Sequence, residues 1–228
     1  MARVAVFASG TGSNFVALAA ALKAARRHQL EFLLCDMPGA AVLDRAKELG
    51  IPTVLMPYEK GQPRQAVEKK MVRHLERRAV DLVALAGFMK LLTPWFLDAF
   101  KGPVVNLHPS LLPKYPGTRG IEESYRSADT ELGISVIRVD AGVDTGPILM
   151  QQSFPRRDGE TLQQVEAKIH ALEHEWFPRV IVQLLDEIDG MASPVSQPPG
   201  GRAPGSTAPG STAPGSSAHG SSAPGGAS

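Results

Sequence analysis

Two short stretches of this chain hold the residue types that acyl transfer requires. Asn106-Leu107-His108-Pro109-Ser110-Leu111-Leu112-Pro113 places an amide and an imidazole two residues apart, and Asp144 follows in Gly142-Val143-Asp144-Thr145-Gly146-Pro147. On an extended backbone, side chains two apart point to the same side, so Asn106 and His108 can share one space. An amide and an imidazolium both donate hydrogen bonds to an oxygen that is gaining charge, and a nearby carboxylate favours the charged imidazole. A proton can then move while a carbonyl oxygen becomes an oxyanion, which makes acyl transfer the expected chemistry. Pro109, Pro113 and Pro116 stiffen the first loop. Asp144 also reads as a turn acid, because Asp before Thr-Gly-Pro is good turn chemistry by itself.

A third motif is Ser9-Gly10-Thr11-Gly12-Ser13-Asn14. Its glycines allow close backbone approach, and a helix beginning there offers unpaired N–H groups and a positive dipole end, a seat for an anion or phosphate. Ser13 and Asn14 can add side-chain bonds or simply cap the helix. A dinucleotide fingerprint would use an acid such as Asp36, yet Phe15 stands where the third glycine must let helix and strand approach closely. The Gly-Lys-Ser/Thr ending of a P-loop is also missing.

These motifs sit in a pattern of strand-length apolar runs alternating with longer amphipathic segments, the mark of βαβ units. Strands are expected at residues 4–8, 31–35, 53–56, 81–86, 104–107, 133–139 and 148–153. Helices are expected at 15–27, 41–49, 64–78, 94–100, 121–126 and 161–185, the last with a break at Pro178. The fold class is therefore α/β: three layers, a mostly parallel central sheet with helices on both faces, and an antiparallel strand near the C-terminal end. Asn106 and His108 fall at the carboxyl end of a central strand, where ligands collect in open α/β sheets. Residues 1–190 make one domain, and 191–228, almost wholly Pro, Gly, Ser, Ala and Thr, are expected to be a disordered tail.

Bulk properties narrow the partners. With 228 residues, 43% hydrophobic side chains and a formal charge of +1, the chain can bury a full core but offers no basic field for nucleic acid or an anionic membrane. Small-molecule substrates, a cytoplasmic location and a monomer or homodimer are expected. The single cysteine, Cys35, lies in an apolar run and reads as a buried hydrophobe. No segment reaches membrane-spanning length.

Five motifs in order resemble one family: Phe7-Ala8-Ser9-Gly10-Thr11-Gly12-Ser13-Asn14, Leu85-Ala86-Gly87-Phe88-Met89-Lys90-Leu91-Leu92, the Asn106 and Asp144 motifs, and Glu173-His174-Glu175-Trp176-Phe177-Pro178. They are similar to the phosphoribosylglycinamide formyltransferase family, the folate-dependent glycinamide ribonucleotide transformylases of purine biosynthesis. The resemblance implies formyl transfer from 10-formyltetrahydrofolate, as co-substrate, to the amine of 5-phosphoribosylglycinamide, with no metal. It implies that His108 is the active-site residue, that Asn106 helps hold the formyl oxygen and the folate, and that Asp144 keeps His108 charged. Gly12, Ser13 and Asn14 resemble the phosphate seat and Glu173 a nucleotide contact. Met89, Lys90, Leu91 and Leu92 resemble the folate segment, with Arg64 a further folate contact.

Several of these residues have plainer readings. Phe88, Met89, Leu91 and Leu92 could be ordinary core, Arg64 a solvated helix charge, and Glu173 an exposed helix acid. His170 and His174 share a helix face at i, i+4 but lack an obvious third ligand, so a surface or packing role is expected. Many relatives carry His where Ile137 stands, so a supporting polar role is not expected there. Methionyl-tRNA formyltransferase and formyltetrahydrofolate deformylase share the Asn, His and Asp set and remain rivals, as does a noncatalytic binding module.

Overall fold

The computed structural model describes residues 1–190, and the expected disordered tail at 191–228 lies outside the described residues. Alternating side-chain direction organises the chain. In β1 (Arg3–Ala8), Val4, Val6 and Ala8 enter one core while Ala5 and Phe7 enter another, all fully buried. A strand buried on both faces needs helices on both, which is the βαβ solution. Each such large side chain contributes about 1.5–3 kcal/mol through burial, so both faces hold the strand firmly.

β2 (Gln29–Cys35) and β3 (Thr53–Leu55) extend the sheet to one side of β1, and β4 (Leu82–Leu85) and β5 (Val104–His108) extend it to the other, all in parallel. On one face α1 (Ser13–Ala25), α2 (Ala41–Glu48) and α6 (Leu162–Ile188) contribute Phe15, Leu18, Val42, Ile169 and Phe177 to the core. On the other, α3 (Arg64–Arg77) and α4 (Pro94–Ala99) contribute Met71, Leu75 and Phe96. The α/β expectation holds.

The antiparallel pairing expected near the C-terminal end is present as well. β6 (Glu131–Arg138) already runs antiparallel to β5, and β7 (Ile148–Pro155) runs antiparallel to β6, closing a seven-stranded order β3-β2-β1-β4-β5-β6-β7. The excursion after β5, with its short helix α5 (Gly120–Arg126), stays at the carboxyl end of β5, where Ser135 pairs with His108. The next strand must therefore start from that end and run back.

Two boundaries are also corrected. α1 starts at Ser13 and ends at Ala25, because Gly12 (φ +79°) and Arg26 (φ +54°) both adopt left-handed backbone and flank it. The break expected at Pro178 does not occur, and α6 runs for 27 residues through it. A proline inside a helix forfeits a hydrogen bond and costs about 3 kcal/mol. The stripe of Val165, Ile169, Phe177, Ile181 and Leu185, all fully buried, offsets that loss.

Candidate active site

β5 carries Asn106 and His108 to the carboxyl end of the sheet, and the loop between β6 and β7 brings Asp144 to them. His108 is 3% exposed. Its Nε2 lies 2.8 Å from the Tyr115 carbonyl oxygen, which can only accept, so Nε2 carries a proton. Its Nδ1 lies 3.4 Å from Asp144 Oδ2. The ring thus meets a carbonyl acceptor at Nε2 and has a carboxylate beside Nδ1.

Asp144 is the hub of this cluster. Asn106 Nδ2 donates to its Oδ1 at 3.3 Å, and the Gly117 N–H donates to its Oδ2 at 2.8 Å. Asp144 and Tyr115 hold left-handed backbone, φ +53° and +57°, a conformation that non-glycine residues keep only when their surroundings enforce it. Gly120 closes the floor: a Cβ there would sit 3.1 Å from His108 Nε2 and 3.3 Å from the Tyr115 oxygen. The loop after β5 is pinned from below by the fully buried Ser135, whose Oγ donates to the Ser110 carbonyl at 2.7 Å and accepts from the Leu112 N–H at 2.9 Å. Gln151 Nε2 donates to the same oxygen at 2.9 Å.

The trio lines a cleft of about 400 Å³, together with Arg64, Met89, Lys90, Leu91 and Leu92. All eight residues expected to serve catalysis or folate are thus brought to one cavity. Met89 and Leu91 are 59% and 53% exposed, so they are not core, whereas Phe88, at 8%, is. Arg64 lies at the start of α3, exposed, and lines the cleft. Ile137 pairs with Asn106 across β5 and β6 and adds an apolar patch to the cleft wall.

The remaining expected residues gather elsewhere, at the start of α1. Gly12 caps the helix in left-handed backbone, and a Cβ there would collide with the Val42 side chain. No side chain caps the first turn, so its N–H groups are open to an acceptor. Asn14 Nδ2 donates to Glu173 Oε2 at 3.0 Å, and His170 Nδ1 meets the same oxygen at 2.8 Å. Glu173 is buried, which overturns its reading as an exposed helix acid. Its hydrogen bond to His170 raises that imidazole above its ordinary value. Gly12, Ser13, Asn14 and Glu173 do not line the cleft around His108. The His170 and His174 rings stack at 6.3 Å, and among the described residues no group of three or more His, Cys, Asp or Glu is placed to hold a metal.

Against the dinucleotide alternative, Phe15 is fully buried where the third glycine would stand, and Asp36 is itself buried, its Oδ1 accepting a hydrogen bond from Ser9 Oγ at 2.5 Å. Cys35 is buried, and burial pushes its thiol up, as befits a packing residue. Four contributors escaped sequence reasoning: the Tyr115 carbonyl, the Gly117 N–H, Ser135 and Gln151. The first two are backbone groups and leave no residue-type signal.

Comparison with known proteins identifies the family. The formyl transferase family matches residues 2–181. The chain belongs to the formyl transferase family. This formyl transferase is 40% identical over 186 residues to the phosphoribosylglycinamide formyltransferase of Bacillus subtilis (strain 168), covering 81% of this chain and 95% of that one. It is 36% identical over 187 residues to the trifunctional purine biosynthetic protein adenosine-3 of Drosophila melanogaster, covering 81% of this chain but 14% of that longer protein. The crystal structure of glycinamide ribonucleotide transformylase 1 from Geobacillus kaustophilus matches with a TM-score of 0.76 at 41% identity, covering 81% of this chain and 99% of the other. The protein is an enzyme of formyl transfer that acts on small molecules.

Proposed function

We propose that this formyl transferase moves the formyl group of 10-formyltetrahydrofolate to the amine of 5-phosphoribosylglycinamide in de novo purine (IMP) biosynthesis. The products are formylglycinamide ribonucleotide and tetrahydrofolate. The observation that carries this reading is the convergence of Asn106, His108 and Asp144 on one wall of a cleft that Arg64, Met89, Lys90, Leu91 and Leu92 complete. In it, residues 1–190 are the formyltransferase domain.

The folate lies along Met89, Lys90, Leu91 and Leu92, with Arg64 placed for its glutamate carboxylates. The phosphate docks at Gly12, Ser13 and Asn14 on the open first turn of α1, and Glu173 contacts the nucleotide. The amine nitrogen attacks the formyl carbon, and the carbonyl π electrons move onto oxygen. Asn106 Nδ2 has a second N–H to offer that oxygen. The 3.4 Å separation of His108 Nδ1 from Asp144 is long for a hydrogen bond, so this N–H is the one free to be shared with the oxyanion. Collapse re-forms the carbonyl and breaks the bond to N10 of the folate, which takes the proton that the amine loses, relayed by Asp144. Once the proton has passed on, the Asp144 carboxylate again faces His108 Nδ1 at 3.4 Å.

The reaction is placed in the cytoplasm, with small molecules as the only required partners and a monomer or homodimer as the working unit. No helix of the described residues is long and apolar enough to cross a membrane. The test is donor consumption by the purified protein with and without 5-phosphoribosylglycinamide. Turnover that requires the ribonucleotide supports the reading. Equal turnover in its absence would mark a hydrolase, and binding without turnover a carrier.

A further inference from the structure

We propose that Glu68, acting through Thr93, is a positioning residue for the folate wall of the cleft, an inference that rests on the folate reading above. Glu68 is 0% exposed on α3, surrounded in sequence by core residues Val67, Met71 and Val72. Among the described residues its two oxygens find a single partner residue. Oε1 accepts the Thr93 N–H at 2.8 Å, and Oε2 accepts a short hydrogen bond from the Thr93 hydroxyl. Burying a carboxylate is costly unless hydrogen bonds replace its water, and an apolar side chain would serve the core better. The use of that carboxylate is therefore to be sought in what it grips.

Thr93 directly follows Leu92, the last residue of the folate segment, and Glu68 lies one helical turn after Arg64 on the same helix face. Both Arg64 and Leu92 line the cleft. The stretch between β4 and α4 has no helix or strand hydrogen bonding to hold its shape. It is tied instead at its two ends, the near one also holding the Gly87 carbonyl, which accepts the Ser9 N–H at 3.0 Å. At the near end the Met89 N–H donates to Ser9 Oγ at 2.9 Å, and at the far end Thr93 is clamped by Glu68. Lys90, Leu91 and Leu92 span the gap between these ties, so the distance from them to Arg64 depends on the Glu68 clamp. Among the described residues, no hydrogen bond links Glu68 to the start of α1, where the ribonucleotide phosphate would sit.

The two substrates should therefore respond differently when the clamp is released. Thr93→Val removes the hydroxyl and keeps the branched shape, while Thr93→Ser keeps the hydroxyl. Titration calorimetry of tetrahydrofolate and, separately, of 5-phosphoribosylglycinamide reads the two sites, with thermal melting as the check on folding. The expected result for Thr93→Val is a tetrahydrofolate Kd raised about tenfold, as for loss of about one charged hydrogen bond. The ribonucleotide Kd should stay within about twofold, and Thr93→Ser should restore the folate Kd. If Thr93→Val does not fold, Glu68→Gln, of equal shape, is read by the same criteria. A folded variant with an unchanged folate Kd, or with both ligands weakened alike, overturns the positioning role. Wild-type protein that binds tetrahydrofolate without formylating the ribonucleotide refutes the proposed acceptor and leaves the Glu68 comparison valid. Wild-type protein that does not bind tetrahydrofolate overturns both.

Discussion

Replacing Asp144 by Asn keeps the shape of the side chain and removes its charge. Two donors bond the carboxylate, Asn106 Nδ2 at 3.3 Å and the Gly117 N–H at 2.8 Å, and His108 Nδ1 stands 3.4 Å from it. An amide has one accepting atom in place of two, so its NH₂ group must face at least one of these donors. For His108 the loss is electrostatic: opposite unit charges at 3.4 Å attract by about 5 kcal/mol at an effective dielectric constant of about 20. The residual amide dipole and solvent at the mouth of the cleft offset part of this, which leaves about 3 kcal/mol and a fall in kcat of roughly a hundredfold. The loop should keep its place, because the Gly117 N–H can still bond the amide oxygen. The assay is the initial rate at saturating concentrations of both substrates, with circular dichroism and thermal melting as controls. An Asp144→Asn protein that melts like wild type and retains kcat within about threefold would refute the role given to this charge.

His108→Ala should fold normally and lose a factor on the order of hundreds in kcat, the usual cost of one oxyanion donor, measured in the same assay. Gly12→Ala forces a Cβ toward Val42 at a left-handed φ of +79°. It should lower stability by about 2 kcal/mol in urea denaturation and raise KM for the ribonucleotide more than for the folate. His170→Gln tests the pH dependence of stability. Its bond to Glu173 raises the folded imidazole above its ordinary 6.5, so the contribution is complete below that pH and fades as pH climbs through the raised value. Urea midpoints at mildly acidic and mildly alkaline pH should show wild type gaining on the variant only on the acidic side, and parallel curves would contradict this.

The parallel half of the sheet is legible because Val4, Ala5, Val6, Phe7 and Ala8 are apolar without interruption, which only a doubly covered strand explains. The direction of β6 is not legible. Residues 133–139 read alike in either direction, and only the path of the preceding loop decides. Pro178 misleads because a local helix rule is overridden by tertiary burial of Phe177 and Ile181. Asn106, His108 and Asp144 are legible by type and by their loops, yet their mutual contacts depend on the backbone of Tyr115 and Gly117. Glu173 carried a signal that was open to reading: it lies four residues after Ile169 and four before Phe177, on the buried stripe of α6. A carboxylate on such a stripe must have donors, and here they are Asn14 and His170.

The most direct test follows the migrating carbon itself. With a ¹³C-labelled formyl group on the folate, wild-type protein and 5-phosphoribosylglycinamide should yield a labelled formamide on the ribonucleotide at one equivalent per folate released, while His108→Ala should yield almost none in the same interval. Label recovered as formate, or remaining on the folate with the wild-type protein, would contradict formyl transfer by the Asn106, His108 and Asp144 cluster.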